Sequence, residues 1–190
     1  VERSGLSEFD VGKALYGLIS AGYVQRVGRS ATRRQPPPES RVAEHRNLGI
    51  AFYRTGMLAE AEREFQRVLE LREADGVARF HLGLVQARRG AWAEAQATFA
   101  QAAAAADAPP SVLHNLAFAE AQCGKLAQAS ATLEAAHQAA LRGGVTPDPR
   151  MALLKATLAL EAGQLVAAEE ALSTARAQFG ARQPSAAWYH

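Results

Sequence analysis

Leu48-Gly49, Leu82-Gly83 and Leu116-Ala117 follow one another at intervals of 34 residues. Four more columns keep that interval: Gly56, Gly90 and Gly124; Ala61, Ala95 and Ala129; Phe65, Phe99 and Leu133; and Val68, Ala102 and Ala136. A chain that holds one register through five columns is built of like units, each able to bury its apolar face only by stacking on its neighbours. A fourth copy, Ala156, Gly163, Ala168, Leu172 and Ala175, keeps the internal spacing but lies 39 residues on. Five extra residues therefore precede it, and Gly143-Gly144-Val145-Thr146-Pro147-Asp148-Pro149 predicts a loop insertion there.

The units read as helix hairpins. Of 190 residues 43 are Ala, against 11 Val, 2 Ile and 7 Thr, so helix formers far outnumber strand formers and a β-sandwich or barrel is excluded. Within a unit, one helical stretch ends at Gly56, Gly90, Gly124 or Gly163, where glycine can take the left-handed conformation that closes a helix. In the second stretch Ala61 and Phe65, or Ala95 and Phe99, stand four apart on one face, a small residue for close approach beside an aromatic that fills the space. Gly49 and Gly83 serve the same approach on the first stretch. Leu58, Trp92, Leu126 and Leu165 follow each turn and are expected to anchor the corner.

This Leu-Gly, Gly, Ala, Phe pattern resembles the tetratricopeptide repeat (TPR), over about 42–180. Departures are Gln86, Glu120 and Ala159 where Phe52 matches the family's aromatic, the missing closing proline of the first two units, and Lys155 in the Leu column. The resemblance implies an all-α fold: an α-solenoid of about four TPR helix hairpins, in a right-handed superhelix whose concave groove is lined by first helices and holds a peptide or partner helix. On that fold Asn47, His81, Asn115 and Leu154 would face the groove, and family members that hold extended peptides use an Asn column there, matched here at Asn47 and Asn115. An Asn amide both donates and accepts, so such a column can bond the backbone of any extended peptide; the alternative is a set of solvated polar residues. Neighbouring groove positions are Arg46, Phe80 and His114; Ile50, Leu84 and Phe118; and Arg54, Arg88 and Gln122. An apolar floor with Arg at one lip suits a partner with apolar anchors and acidic residues, although Ile50, Leu84 and Phe118 also suit packing against the next unit. The set does not match the Lys, Asn and Arg clamp with which some family members grip chaperone C-termini.

The first forty residues differ. Ser7 and Asp10 read as a capping box, and Phe9, Val11, Ala14, Leu15, Leu18 and Ile19 run at helical spacing to Gly22, followed by a strand-like Tyr23-Val24-Gln25-Arg26-Val27. Leu6 to Val11 with Leu15 to Val24 resembles the last helix and first wing strand of a winged-helix domain, in particular the end of the bacterial domain called PATAN, found in signalling and surface-motility proteins. In a DNA reader that helix would enter the major groove, but its outward residues would include Glu8, Asp10, Lys13 and Tyr16, a poor set for phosphate. Arg26, Arg29, Arg33 and Arg34 lead into Gln35-Pro36-Pro37-Pro38, a stiff tether. The expected organisation is 1–30 the tail of a winged-helix-like domain, 31–41 a Pro/Arg-rich linker, 42–180 the repeats in units of about 42–75, 76–109, 110–148 and 149–180, and 181–190 a C-terminal tail. A chain opening at Val1 reads as a piece of a longer protein.

The net charge of +2, from 21 basic and 19 acidic residues, gives no global signal for nucleic acid. One cysteine, Cys123, excludes an internal disulfide and a Cys-based zinc cluster, and fits a reducing, cytoplasmic setting. No stretch reaches the ~20 apolar residues of a membrane span. No Gly-rich phosphate loop, His-Glu-x-x-His or nucleophile elbow is present, so no enzyme, cofactor or metal is expected. The expected function is a non-enzymatic scaffold binding a protein segment in the groove, in a bacterial signalling or assembly system. The alternatives are a DNA-binding transcription regulator whose repeats sense or oligomerise, and a self-associating array in which Trp188 and Tyr189 dock on a neighbour's groove.

Overall fold

The computed structural model describes residues 38–104 and 108–181, together with Lys13. The chain divides into two units, 1–37 and 38–190. The winged-helix, strand and tether readings fall on the first and lie outside the described residues.

Between Pro38 and Ala181 the described residues form eight helices and no strand: α1 (Pro38–Thr55), α2 (Leu58–Leu71), α3 (Gly76–Arg88), α4 (Trp92–Ala103), α5 (Pro110–Gln122), α6 (Leu126–Arg142), α7 (Pro149–Glu161) and α8 (Leu165–Ala181). They pair as four hairpins, and each second helix also packs on the first helix of the next hairpin. Helix α1 begins at Pro38, inside the stretch expected to be linker. Proline is well placed there, because the first helical turn needs no N–H from it and its fixed φ already suits a helix.

The turn inside each hairpin is the same object four times. Gly56, Gly90, Gly124 and Gly163 have φ of 82°, 77°, 74° and 72°. The residue after each returns its N–H to a carbonyl five back: Met57 to Phe52, Ala91 to Gln86, Lys125 to Glu120 and Gln164 to Ala159, at 2.8–3.0 Å. These bonds satisfy carbonyls that the helix end leaves unpaired. The glycine column is thus a stop signal of fixed geometry.

Close approach within the hairpin comes from the other glycine column. A Cβ on Gly49 would lie 2.7 Å from Phe65 Cε1, and one on Gly83 2.6 Å from Phe99 Cε1. In the third hairpin the pair becomes Ala117 and Leu133, both buried, so a methyl group is admitted where the ring has been shortened. Ala61, Phe65 and Val68 form one core cluster with Ala78, Leu82 and Val85 of the next hairpin, and Ala95 and Phe99 join Leu116 and Ala119 in another. The core is therefore a row of separate clusters, each joining one hairpin to the next, as stacking requires.

The insertion before the fourth hairpin is only partly a loop. Helix α6 has 17 residues where α2 has 14, and the connection that follows spans 143–148 where the first junction spans 72–75. Three of the extra residues thus lengthen the helix and two the loop. Ala139, Ala140, Leu141 and Arg142 are strong helix formers, so the helix runs on until Gly143 and Gly144 stop it. The junction it creates is open. Lys155 stands exposed in the column where Leu82 and Leu116 are buried, beside a cleft of about 470 Å³ lined by α6, α7 and α8 residues that include Leu133, Leu158 and Ala167.

Candidate functional site

The candidate groove residues divide by what they touch. Arg46 is committed to a contact between hairpins: its guanidinium pairs with Asp75, a buried carboxylate that also caps α3 by accepting from the Ala78 N–H at 2.9 Å. Arg88 is committed likewise, donating to the Tyr53 carbonyl at 2.9 Å and lying over the Tyr53 ring at 5.0 Å. Both cations knit the first hairpin to the second. Arg54 is exposed on α1 and Gln122 on α5.

The aromatic and apolar candidates are also shared with packing. His81 stacks on Phe65 at 5.3 Å, and its Nδ1 lies 2.8 Å from the Val77 carbonyl, a separation at which Nδ1–H donates. Phe80 leans on Phe99 at 6.0 Å. Ile50 and Leu84 are half-buried against the core clusters. Phe118 remains exposed, with one edge against Trp92 of the preceding hairpin at 5.6 Å. Leu154 departs from its expected place: it is buried in a cluster with Ala117, Leu133 and Leu158, because an apolar side chain beside the open third junction gains more from the core than from water.

Asn47 is exposed on α1, whereas Asn115 is half-buried and donates from Nδ2 to the Ser111 carbonyl at 2.7 Å. Asn115 and His114 line a cavity of about 290 Å³ between the start of α5 and the start of α7, together with Val145 and Thr146 of the insertion and the apolar side chains of Ala140 and Met151. His114 Nδ1 is buried with no hydrogen-bond partner. Burial lowers the His114 pKa below its ordinary 6.5, the Arg150 charge lowers it further, and Asp148 opposes both. The imidazole is neutral at pH 7 and can accept a hydrogen bond. At the rim Asp148 caps α7 by accepting from the Arg150 N–H at 2.9 Å, and it takes the Arg150 guanidinium at 2.8 and 3.1 Å. Burial alone would raise the Asp148 carboxyl; the hydrogen bonds and charge of Arg150 outweigh it and hold the pKa down.

The sequence reading named His114 and Asn115 among its candidates but not Asp148 and Arg150, which line the same cavity. Asp148 ahead of Pro149 is itself a legible helix-start signal. Asp75 ahead of Gly76 was another.

Comparison with known proteins bears on the fold. No family profile and no curated protein matches the chain. Among solved structures, residues 41 to the end of MamA from Desulfovibrio magneticus RS-1 align at 19% identity and TM-score 0.67, covering 90% of this chain and 97% of that one. A tetratricopeptide repeat protein from Parabacteroides merdae aligns at 17% identity and TM-score 0.60, covering 71% of this chain and 52% of that one. YrrB, described as a TPR protein with an unusual peptide-binding site, aligns at 17% and 0.60, covering 70% and 66%. The fold is that of a TPR solenoid. Within this TPR-like array the first helices α1, α3, α5 and α7 carry the candidate groove positions, and the His114 cavity opens between the last two. Among the described residues no helix is long and apolar enough to cross a membrane, and no group of three His, Cys, Asp or Glu side chains could hold a metal ion.

Proposed function

We propose that the array is a non-enzymatic scaffold that captures a segment of a partner protein along its first helices, with the His114-Asn115 cavity as the anchoring point. The observation that carries this is the buried, unpartnered His114 Nδ1 at a cavity of about 290 Å³. A buried acceptor without a donor costs about 1–3 kcal/mol, and a ligand that brings an N–H or O–H recovers it. The cavity accommodates one side chain, and its apolar lining residues Ala140, Val145 and Met151 beside a neutral acceptor suit a residue with both methyl and hydroxyl or amide character. Asn47 and Phe118 offer further contact along the same row, while Arg46 and Arg88 act by holding the hairpins in register. A TPR protein of similar fold is described as binding peptide, which agrees with this reading. The PATAN resemblance of the N-terminal residues favours a bacterial signalling or assembly system, in the cytoplasm.

Selection of a random peptide library on the array tests the proposal. Selected peptides should lose at least about tenfold in affinity on His114→Ala or Asn115→Ala, equivalent to ~1.4 kcal/mol, and less on Arg54→Ala. Failure to select any peptide, or peptides indifferent to both substitutions, removes it.

A further inference from the structure

The outer face of α8 carries an apolar stripe that the described residues leave open. Leu165, Leu172 and Phe179 stand seven residues apart and therefore on one face, and they are 66%, 46% and 45% exposed. The equivalents of Leu172 in the earlier hairpins, Phe65, Phe99 and Leu133, are 0%, 1% and 5% exposed, each beneath a further hairpin. Glu169 and Arg176 each follow a leucine of the stripe by four residues, so they flank it on one side, and both are exposed. Among the described residues neither takes an ion pair, which leaves both charges available to a partner.

We propose that this stripe is the contact between two copies of the chain, with α8 lying antiparallel to α8 about a two-fold axis at Leu172. Self-complementarity carries the assignment. Leu165 lies seven residues before Leu172 and Phe179 seven after it, so in this register Leu172 meets Leu172 and each Leu165 meets the second copy's Phe179. Glu169 is three residues before the axis and Arg176 four after it, which sets each carboxylate within one helical rise, ~1.5 Å, of the level of the second copy's guanidinium. The two-fold repeats that match on the other copy, so four exposed charges become two ion pairs beside the apolar contact, and such flanking pairs set the orientation of paired helices. A parallel pair about a two-fold would instead set Glu169 level with Glu169 and Arg176 with Arg176, where like charges repel. The axis lies one residue from the middle of the 17-residue helix, so the two helices overlap along nearly their whole length. Size sets the strength. The three apolar side chains with the stems of Glu169 and Arg176 offer on the order of 500 Å² per copy, below the ~800 Å² per partner of an ordinary stable interface and in the range of weak, reversible ones. The pairing is therefore concentration-dependent, and it uses none of the candidate groove residues.

Sedimentation velocity of the 190-residue chain from about 1 µM to about 1 mM, the span in which a weak interface fills, tests this. Monomer should give way to dimer, and to nothing larger, as concentration rises. Glu169→Arg and Arg176→Glu each set like charges opposite one another across the axis and should each weaken the dimer at least about tenfold. Mixed in equal amounts the two variants become complementary at both positions, and a mixed dimer at least as tight as the native one should form. Leu172→Asp brings two carboxylates together on the axis and should leave a monomer throughout. All three positions are exposed, and circular dichroism checks that helix content is unchanged. A chain that stays monomeric at every concentration overturns the proposal, because the stripe then belongs to another occupant. So does a dimer that is indifferent to both charge reversals, one that mixing the two variants does not restore, or one that persists in Leu172→Asp.

Discussion

Gly83 leaves no room for a methyl group beneath Phe99, whose Cε1 would lie 2.6 Å from an added Cβ. Phe99 is itself 1% exposed and held by the third hairpin, so the ring cannot swing outward. Gly83→Ala should therefore destabilise the array by about 1–3 kcal/mol, the usual cost of overpacking. Adding Phe99→Leu reproduces the Ala117-Leu133 pair of the third hairpin and should recover part of the loss. Urea unfolding of the two single variants and the double variant measures the coupling; strictly additive effects would show that the two residues do not oppose each other.

Asp75 has two tasks, capping α3 and receiving Arg46, and two substitutions separate them. Asp75→Ala removes both and should cost about 2–3 kcal/mol, an N-cap contributing ~1 of that. Asp75→Asn keeps an oxygen for the Ala78 N–H but removes the charge, and should cost less than half as much. Thermal unfolding of both variants checks the order, and an Asn variant as unstable as the Ala variant would assign the whole effect to the ion pair.

Acid should weaken the third junction first. The folded-state pKa of His114 lies below its ordinary 6.5, so the unfolded chain binds the proton more readily. Its contribution is complete above pH 6.5 and is lost as pH falls from there through the folded value. Asp148 acts in the same direction at lower pH: its depressed pKa contributes stability above 3.8 that disappears as pH falls through the folded value. Denaturant midpoints between pH 7 and 5 should fall for the native chain and fall less for His114→Gln. Parallel profiles would place the acid sensitivity elsewhere.

Glu120 should behave in the opposite sense. It is 2% exposed, with Oε2 unpartnered, and burial raises its pKa above 4.5 against the Thr132 hydrogen bond and the Lys125 charge. A raised carboxyl favours the fold below pH 4.5 and loses that contribution as pH rises through the folded value. Glu120→Gln should therefore stabilise the protein at pH 7, by about 1 kcal/mol, and have little effect at pH 4. A variant that is less stable at neutral pH would mean the carboxylate is satisfied.

Local signals carried most of the fold. The Gly56 column marks a turn because its conformation needs only glycine, and the Gly49-Phe65 and Gly83-Phe99 pairs are set by volumes visible in the letters. Features that depend on which hairpin lies alongside were not legible. Arg46 and Arg88 read as groove cations on their own helices, and only the stacked neighbour supplies Asp75 and the Tyr53 carbonyl. Leu165 and Leu172 fit their columns but are exposed, because a column buries a residue only where a further hairpin stands. Of the candidate site, His114 and Asn115 are named by register alone, whereas the cavity they share depends on how five inserted residues divide between helix and loop.

The open junction ahead of α7 also sets the order in which the protein comes apart. Cooperativity in a stacked array passes from hairpin to hairpin through the seams between them, and the last seam has a lysine where two others have leucine, with empty space beside it. In native-state hydrogen exchange the amides of α7 and α8 should form a unit that opens together at lower free energy than α1 to α5. A ligand bridging α5 and α7 would then act as a clasp, slowing exchange in the last hairpin far from its own contacts.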